Sequence, residues 1–281
     1  MTGGEIVAAG KAVGAVGKKA LAQDEKTKEV LLRIAEDTPE MQSAARSMAV
    51  RTAVKERVKL KLYQPFARML GVSKVYFEDT FPQEMGVKIA DIPEENLITP
   101  SASIAVPALL GLSYTFEDPT LKDLYLNLLA AASDNRRTDE AHPAFAEVIK
   151  QLAPAEARLL NEVLARSPTA AVRLTVSRNR FTSKFGVLIT NLLPISDETT
   201  SNPKEVPQAP TWVDNWIRLG LVEVSYDEVL SSAHAYDWVK ARPEYVSFVT
   251  KVANPNHARI NIDKGLIRIT NFGRQFLRAV S

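Results

Sequence analysis

The sequence of 281 residues contains no cysteine and only three histidines, His142, His234 and His257. The absence of cysteine excludes disulfides, thiolate zinc ligands and cysteine nucleophiles, and it is typical of a cytosolic protein. The three histidines are scattered without the spacing of metal ligands, so a histidine-based metal site is not expected. We therefore expect neither a metal nor a cofactor.

Long apolar runs are also lacking. No uncharged apolar stretch reaches the roughly 18 residues that a transmembrane helix needs. The first residues, GGEIVAAGKAVGAVGKKALA, do not read as a secretory signal, because Lys11 interrupts the apolar run and further charges follow it. The sequence predicts a cytoplasmic protein, and peripheral contact with a membrane surface stays open.

The sequence lacks the familiar catalytic motifs of nucleotide-binding loops, metalloproteases and serine hydrolases. His142 stands close to Asp139 and Glu140, which invites an acid–base interpretation. Its place directly before Pro143, where an amphipathic run begins, instead favours the cap of a helix. We expect no enzymatic activity and no small-molecule substrate.

Charge is balanced overall but uneven along the chain. The formal net charge of +2 does not identify a nucleic-acid binder, although a near-neutral total can hide local patches. Within residues 39–70, apolar residues at every fourth position, Val54 to Phe66, form one helical stripe with basic residues on both edges. This pattern suits a helix in a membrane interface and equally a core helix with lysine stems along its rim. The candidate membrane or partner face consists of Lys55, Arg57, Val58, Lys59, Lys61, Leu62 and Phe66.

The pattern of elements predicts a mainly α fold, with an N-terminal helical domain followed by a winged-helix-like α+β C-terminal domain. LKDLYLNLLAAAS has a clear helical stripe, and strand patterns are found only after Leu221. The segments RLGLVEV and ITNFGRQFL resemble the closing half of a winged helix, with residues 225–258 as an insertion. Earlier in the chain, Pro107 is expected to lie in the first turn of a helix. The predicted parts are a flexible or amphipathic segment 1–25, a helical domain 26–153 and a winged-helix-like domain 154–281.

Basic residues in the last third form a candidate nucleic-acid surface. The stretch TVSRNRFTSK combines positive charges with Phe181, a composition that suits phosphate contact and equally an exposed turn. The candidate phosphate contacts are Arg173, Arg178, Arg180, Lys184, Arg218, Lys264 and Arg268.

Residues 94–160 carry a family resemblance in three blocks. The blocks are EENL with Pro100, then PALLGLSYTFEDPTLKDLYLNLLAAASD, then HPAFAEVIKQLAPAEARLL. Together they resemble the bacterial abortive-infection alpha family. The resemblance implies a helical bacterial protein linked to phage defence, and it transfers no catalytic residue.

Two functional hypotheses follow. The first is a non-enzymatic phage-defence protein that acts through a protein partner, self-association or a membrane surface. The second is a nucleic-acid-binding regulator that uses the winged-helix half.

Overall fold

A computed structural model describes residues 76–177, 185–197, 199–251 and 258–281 of the chain. The chain divides into two units, Met1–Glu95 and Asn96–Ser281. The described part of the first unit is a short helical turn, Tyr76–Thr80, and helix α1, Phe81–Lys88. The predicted segment 1–25, residues 26–75 and all seven residues of the candidate membrane or partner face lie outside the described residues.

Four helices open the second unit: α2 (Ala102–Thr115), α3 (Pro119–Ala132), α4 (Ala144–Lys150) and α5 (Pro154–Ala165). Helix α3 begins at Pro119 because the Asp118 carboxylate accepts a hydrogen bond from the Leu121 N–H and Pro119 occupies the first turn. Its predicted apolar stripe is buried: Leu121, Leu124, Tyr125, Leu128 and Leu129. The Glu156 carboxylate similarly accepts the Ala153 N–H at the start of α5.

An antiparallel sheet follows, with strands β1 (Thr169–Ser177), β2 (Phe185–Leu192), β3 (Val222–Ser225) and β4 (Arg259–Ile269). The spatial order is β2-β1-β4-β3, so β1 and β4 are central. They pair continuously from Thr169 opposite Ile267 to Ser177 opposite Arg259. Helix α6 (Ala209–Arg218) precedes β3.

The segment between β3 and β4 covers a face of the sheet rather than extending as a wing. It contains a short helical turn, Asp237–Ala241, and helix α7, Pro243–Lys251. Tyr236 and Val239 pack on Val172 and Leu174 of β1. The Tyr236 hydroxyl donates to the Gly265 carbonyl at 2.9 Å. Arg242 and Glu244 form a buried ion pair, and the Arg242 guanidinium also donates to the Ile195 carbonyl.

The last helix, α8 (Asn271–Val280), packs on α3. Thr270 caps it by accepting the Gly273 N–H. A Cβ on Gly273 would lie 2.0 Å from the Leu221 carbonyl oxygen, so only glycine permits this close approach. Phe276 packs against Phe145 of α4 with ring centroids 5.3 Å apart.

The predicted fold class is wrong. The described residues contain eight α-helices and a four-stranded antiparallel sheet in a mixed α+β arrangement, without a separate N-terminal helical domain. Helices on both sides of the predicted boundary share one unit, since α8 packs on α3.

The strand predictions explain the error. Strands β1 and β2 precede Leu221, where no strand was predicted. Strand β4 is continuous through Gly265 and pairs with β1 from Arg259 to Ile267. Strands β3 and β4 follow α6 and pair with each other, but β4 also pairs with β1, so they belong to a four-stranded sheet and not to an isolated wing hairpin. Pro107 also lies inside α2 rather than at its first turn.

Candidate functional site

The outer face of helix α2 is the strongest candidate for a functional surface. The helix, ASIAVPALLGLSYT, contains no charged residue, and Ile104, Ala105, Ala108, Leu109 and Leu112 are buried on its inner side. On the outer side Val106 is 43% exposed, Leu110 38% and Tyr114 77%. These three residues, spaced four apart, are called the α2 stripe below. A helix that is apolar on every side is normally buried on every side.

The inner contacts of α2 fix which residues face outwards. Gly111 lies against the ring of Tyr125 so closely that a Cβ would come within 2.2 Å of the Tyr125 hydroxyl oxygen. That hydroxyl donates to the Ala146 carbonyl of α4, and burial raises the pKa of Tyr125 above its ordinary value. The tyrosine therefore ties α2, α3 and α4 together and holds the α2 stripe in one orientation.

The charged turn between α3 and α4 is a structural joint. Asp134 is buried and accepts hydrogen bonds from the Arg136 guanidinium, which hold the pKa of its carboxyl below the ordinary range. Arg137 donates to the Arg278 carbonyl, and Gln275 donates to the Asp139 carbonyl. The turn thus fastens α8 to the first helices of this unit.

His142 lies one residue before the cap position, which falls on Pro143 and not on His142 as predicted, although its side chain still contacts the start of the helix. Its Nδ1 accepts the Ala144 N–H at 3.1 Å, and its ring packs against Phe145 and Phe272. These contacts account for the histidine as part of the helix start. Within the described residues, no group of three or more histidine, aspartate and glutamate side chains has the arrangement of a metal site.

The candidate phosphate contacts that the structure describes are engaged within the protein. Arg173 pairs with Asp263 at 3.0 Å and lies over the Tyr226 ring. Arg268 pairs with Glu223 and Glu228, and the hydrogen bond to Glu223, followed by that to Glu228, raises the pKa of its guanidinium.

Arg218 and Lys264, the other two described members, have uncharged neighbours. Arg218 donates to the side-chain oxygens of Gln151 and Asn215, and the Lys264 ammonium lies 5.1 Å from the centre of the Tyr236 ring. Arg178, Arg180 and Lys184 lie outside the described residues. Of the described members, Arg173 and Arg268 are thus paired with carboxylates, and Arg218 and Lys264 are not.

Sequence reasoning missed a polar cluster between β2, α6 and the end of β3. Asn191 is buried with a left-handed backbone, φ 54°. The Tyr226 hydroxyl accepts the Asn191 N–H and donates to Asn191 Oδ1, both at 2.9 Å. Asn191 Nδ2 donates to Asp214. The only local signal of this left-handed backbone is the presence of an asparagine in a strand. That signal does not identify Tyr226 and Asp214 as its hydrogen-bond partners.

Comparison with protein families identifies the class of protein. The abortive infection alpha family matches residues 73–280. This range covers most of the chain and includes the helices, the sheet and the α2 stripe. The protein belongs to the abortive infection alpha family, as the resemblance over residues 94–160 predicted. No curated protein and no solved structure is significantly similar to it.

Proposed function

We propose that the protein is a non-enzymatic phage-defence protein of the abortive-infection type, and that it acts in the cytoplasm by binding a protein through the α2 stripe. The family membership supports the defence role. The observation that carries the mode of action is the row of exposed apolar side chains on a helix without any charge.

Burial energetics support contact at this surface. Removing apolar surface from water contributes about 25 cal/mol for each Å². Val106, Leu110 and Tyr114 stand in one row on a rigidly held helix, so a partner buries all three without reorganising the backbone. A pre-organised apolar row is the usual centre of a protein interface, and tyrosine is among the residues enriched there.

The absence of charge on α2 favours a protein over a lipid surface as the partner. A helix that lies on a membrane carries lysine or arginine along its polar face, which attracts anionic lipid. Helix α2 has no such residue between Ala102 and Thr115. In addition, no helix in the described parts of the chain combines the length and hydropathy needed to cross a membrane.

Nucleic-acid binding, the second hypothesis, has less support. Phosphate contact through Arg173 or Arg268 requires the phosphate to displace a carboxylate that already holds the guanidinium. These ion pairs are partly exposed, so each is weak, but together they reduce the positive charge offered to a nucleic acid.

A phage challenge of cells that express the full chain tests the proposal. The variant carries Val106→Ser, Leu110→Ser and Tyr114→Ser. The matched control carries Val246→Ser and Val249→Ser on α7, where the valines are 51% and 46% exposed. We expect both variants to fold and to unfold near the wild-type temperature. Protection, measured as plating efficiency and cell survival, should be lost only with the α2 variant.

Two results would contradict the proposal. One is full protection by a folded α2 variant, which would show that the stripe is not needed. The other is equal loss of protection in the α7 control, which would show that any loss of exposed apolar surface has this effect.

A further inference from the structure

We propose that the protein bound by the α2 stripe is a second copy of this chain, in a two-fold symmetric contact that packs α2 against α2 in antiparallel orientation. This inference rests on the proposed function and names its partner. Three properties of α2 support it: the spacing of its exposed residues, the charge at its two ends and the lack of charge between them.

The spacing of the outer residues is symmetric about Leu110. Val106 and Tyr114 lie four residues before and after it, and Ser103 and Glu117 lie seven before and after it. A two-fold axis at Leu110 therefore places Leu110 against its own copy and Val106 against Tyr114 of the other copy. This self-complementarity is what a symmetric dimer requires of its interface.

The same row has the period of a packed pair of helices. Its steps from Ser103 to Glu117 are three, four, four and three residues, an average of 3.5. Rows with this period keep two helices in contact along their length at a crossing angle of about 20°. Phe116 still has helical backbone angles, so the row continues past the end of α2 towards Glu117.

The two ends of the row are complementary in charge. The C-terminal end carries Glu117, which is exposed and has no ion pair among the described residues, and it carries the partial negative charge of the helix terminus. The N-terminal end has exposed Ser101 and Ser103, no charged side chain and the partial positive charge of the first N–H groups. Antiparallel packing places Glu117 of one copy beside the N-terminal turn of the other.

No charged side chains face each other in the middle of the proposed contact, because α2 contains no charged residue. A charged side chain at a two-fold axis would meet its own copy and be repelled, and α2 carries no such charge at Leu110 or its neighbours. The three side chains of the α2 stripe form a small contact compared with the roughly 800 Å² that each partner buries in a standard interface. The dimer is therefore expected to dissociate on dilution.

Because the chain has no cysteine, a single introduced thiol reports this geometry. Leu110→Cys places two thiols at the two-fold axis of the proposed dimer, and mild oxidation of the full chain should convert most of it to a disulfide-linked dimer. Val246→Cys, at an exposed site on α7, is the control and should remain monomeric on a non-reducing gel. Equal cross-linking of the two variants, or none of Leu110→Cys, would overturn the proposed contact.

A charge exchange tests the antiparallel register. Ser103→Glu places a carboxylate opposite Glu117 of the other copy, and Glu117→Lys places an ammonium beside a helix N-terminus. Each variant alone should weaken dimerisation in analytical ultracentrifugation, roughly two- to five-fold for exposed charges. The double variant should restore it, because each glutamate then faces a lysine. If the double variant is as weak as either single one, the register is wrong.

Comparison with the phage challenge separates this inference from the proposed function. A wild-type chain that remains monomeric at every concentration, while the α2 variant loses protection, would refute the second copy and leave the proposed function standing. A dimer that Tyr114→Ser disrupts without any effect on protection would refute the proposed function and leave the dimer standing.

Discussion

Replacement of Tyr226 by phenylalanine should destabilise the protein far more than the loss of one exposed hydroxyl. The hydroxyl has two bonds to the same residue, since it accepts the Asn191 N–H and donates to Asn191 Oδ1. Asn191 is buried and holds a left-handed backbone, which a non-glycine residue adopts only with support from its surroundings. The hydroxyl provides part of that support.

The expected cost follows from the group that loses its partner. Phenylalanine leaves the Asn191 N–H buried without the Tyr226 acceptor, and an unsatisfied buried donor costs about 1–3 kcal/mol. The Asn191 side chain keeps its bond to Asp214, which limits the loss. We expect the free energy of unfolding to fall by about 2 kcal/mol.

Urea unfolding of the full chain measures this value. Tyr245→Phe is the matched control, because Tyr245 is also partly buried but its hydroxyl makes no hydrogen bond among the described residues. The control should change the free energy of unfolding by less than about 0.5 kcal/mol. A Tyr226→Phe variant as stable as this control would refute the reasoning.

The same tyrosine predicts a loss of stability in alkali. Burial raises the pKa of Tyr226 above its ordinary value of 10.0. The folded state therefore favours the neutral phenol, and this contribution to stability is present below pH 10.0 and lost as the pH rises through the folded-state pKa. In Tyr226→Phe the decline of stability above pH 10.0 should be shallower than in the wild type.

Two further predictions concern buried charges. The Arg136 side chain lowers the pKa of Asp134, so Asp134 stabilises the fold above the ordinary value of 3.8 and this contribution is lost as the pH falls. In Asp134→Asn, the urea concentration at the midpoint of unfolding should therefore fall less steeply as the pH is lowered than in the wild type. An unchanged dependence on pH would contradict this. Glu244→Ala leaves the Arg242 guanidinium buried without its carboxylate and should cost about 3–5 kcal/mol in urea unfolding. Glu244→Gln is the control, because it keeps one acceptor for the guanidinium and should cost less; equal losses in the two variants would count against this account.

The helices were predictable where the signal is local. Asp118, Pro119 and the stripe from Leu121 to Leu129 lie within a dozen residues of one another, and each acts through neighbours on the same helix. The helix start after His142 was predictable for the same reason, because the acceptor atom of His142 and the Ala144 N–H are two residues apart, although the cap position falls on Pro143. Such signals do not depend on the rest of the fold.

The central strands were not predictable from periodicity. In TAAVRLTVS, Ala170, Ala171 and Val172 are all buried, so the apolar and polar residues do not alternate as in a half-exposed strand. The partner strand is also remote, as Arg173 pairs with Asp263 across 90 positions. The resulting prediction placed every strand after Leu221 and hence predicted the wrong fold class.

The surroundings of the candidate site residues were not predictable either, because their contacts also come from distant parts of the sequence. The sequence identifies Arg268 as a positive charge, but its carboxylate partners, Glu223 and Glu228, precede it by 45 and 40 positions. In the same way, SIAVPALLGLSY reads as one apolar run, and only its packing on α3 and α4 decides that Val106, Leu110 and Tyr114 remain outside.

The large sequence separation between α3 and α8 has a consequence for protein synthesis. Asn127 of α3 donates to the Val280 carbonyl, 153 positions later, and Phe276 covers Phe145. At translation rates of about 5–20 residues per second, roughly 8–30 seconds separate the synthesis of Asn127 from that of Val280. A product that stops before Asn271 lacks the helix that packs on α3. The contact between α3 and α8 can therefore form only in chains translated through Val280, and shorter products leave the apolar side chains that α8 covers without that contact.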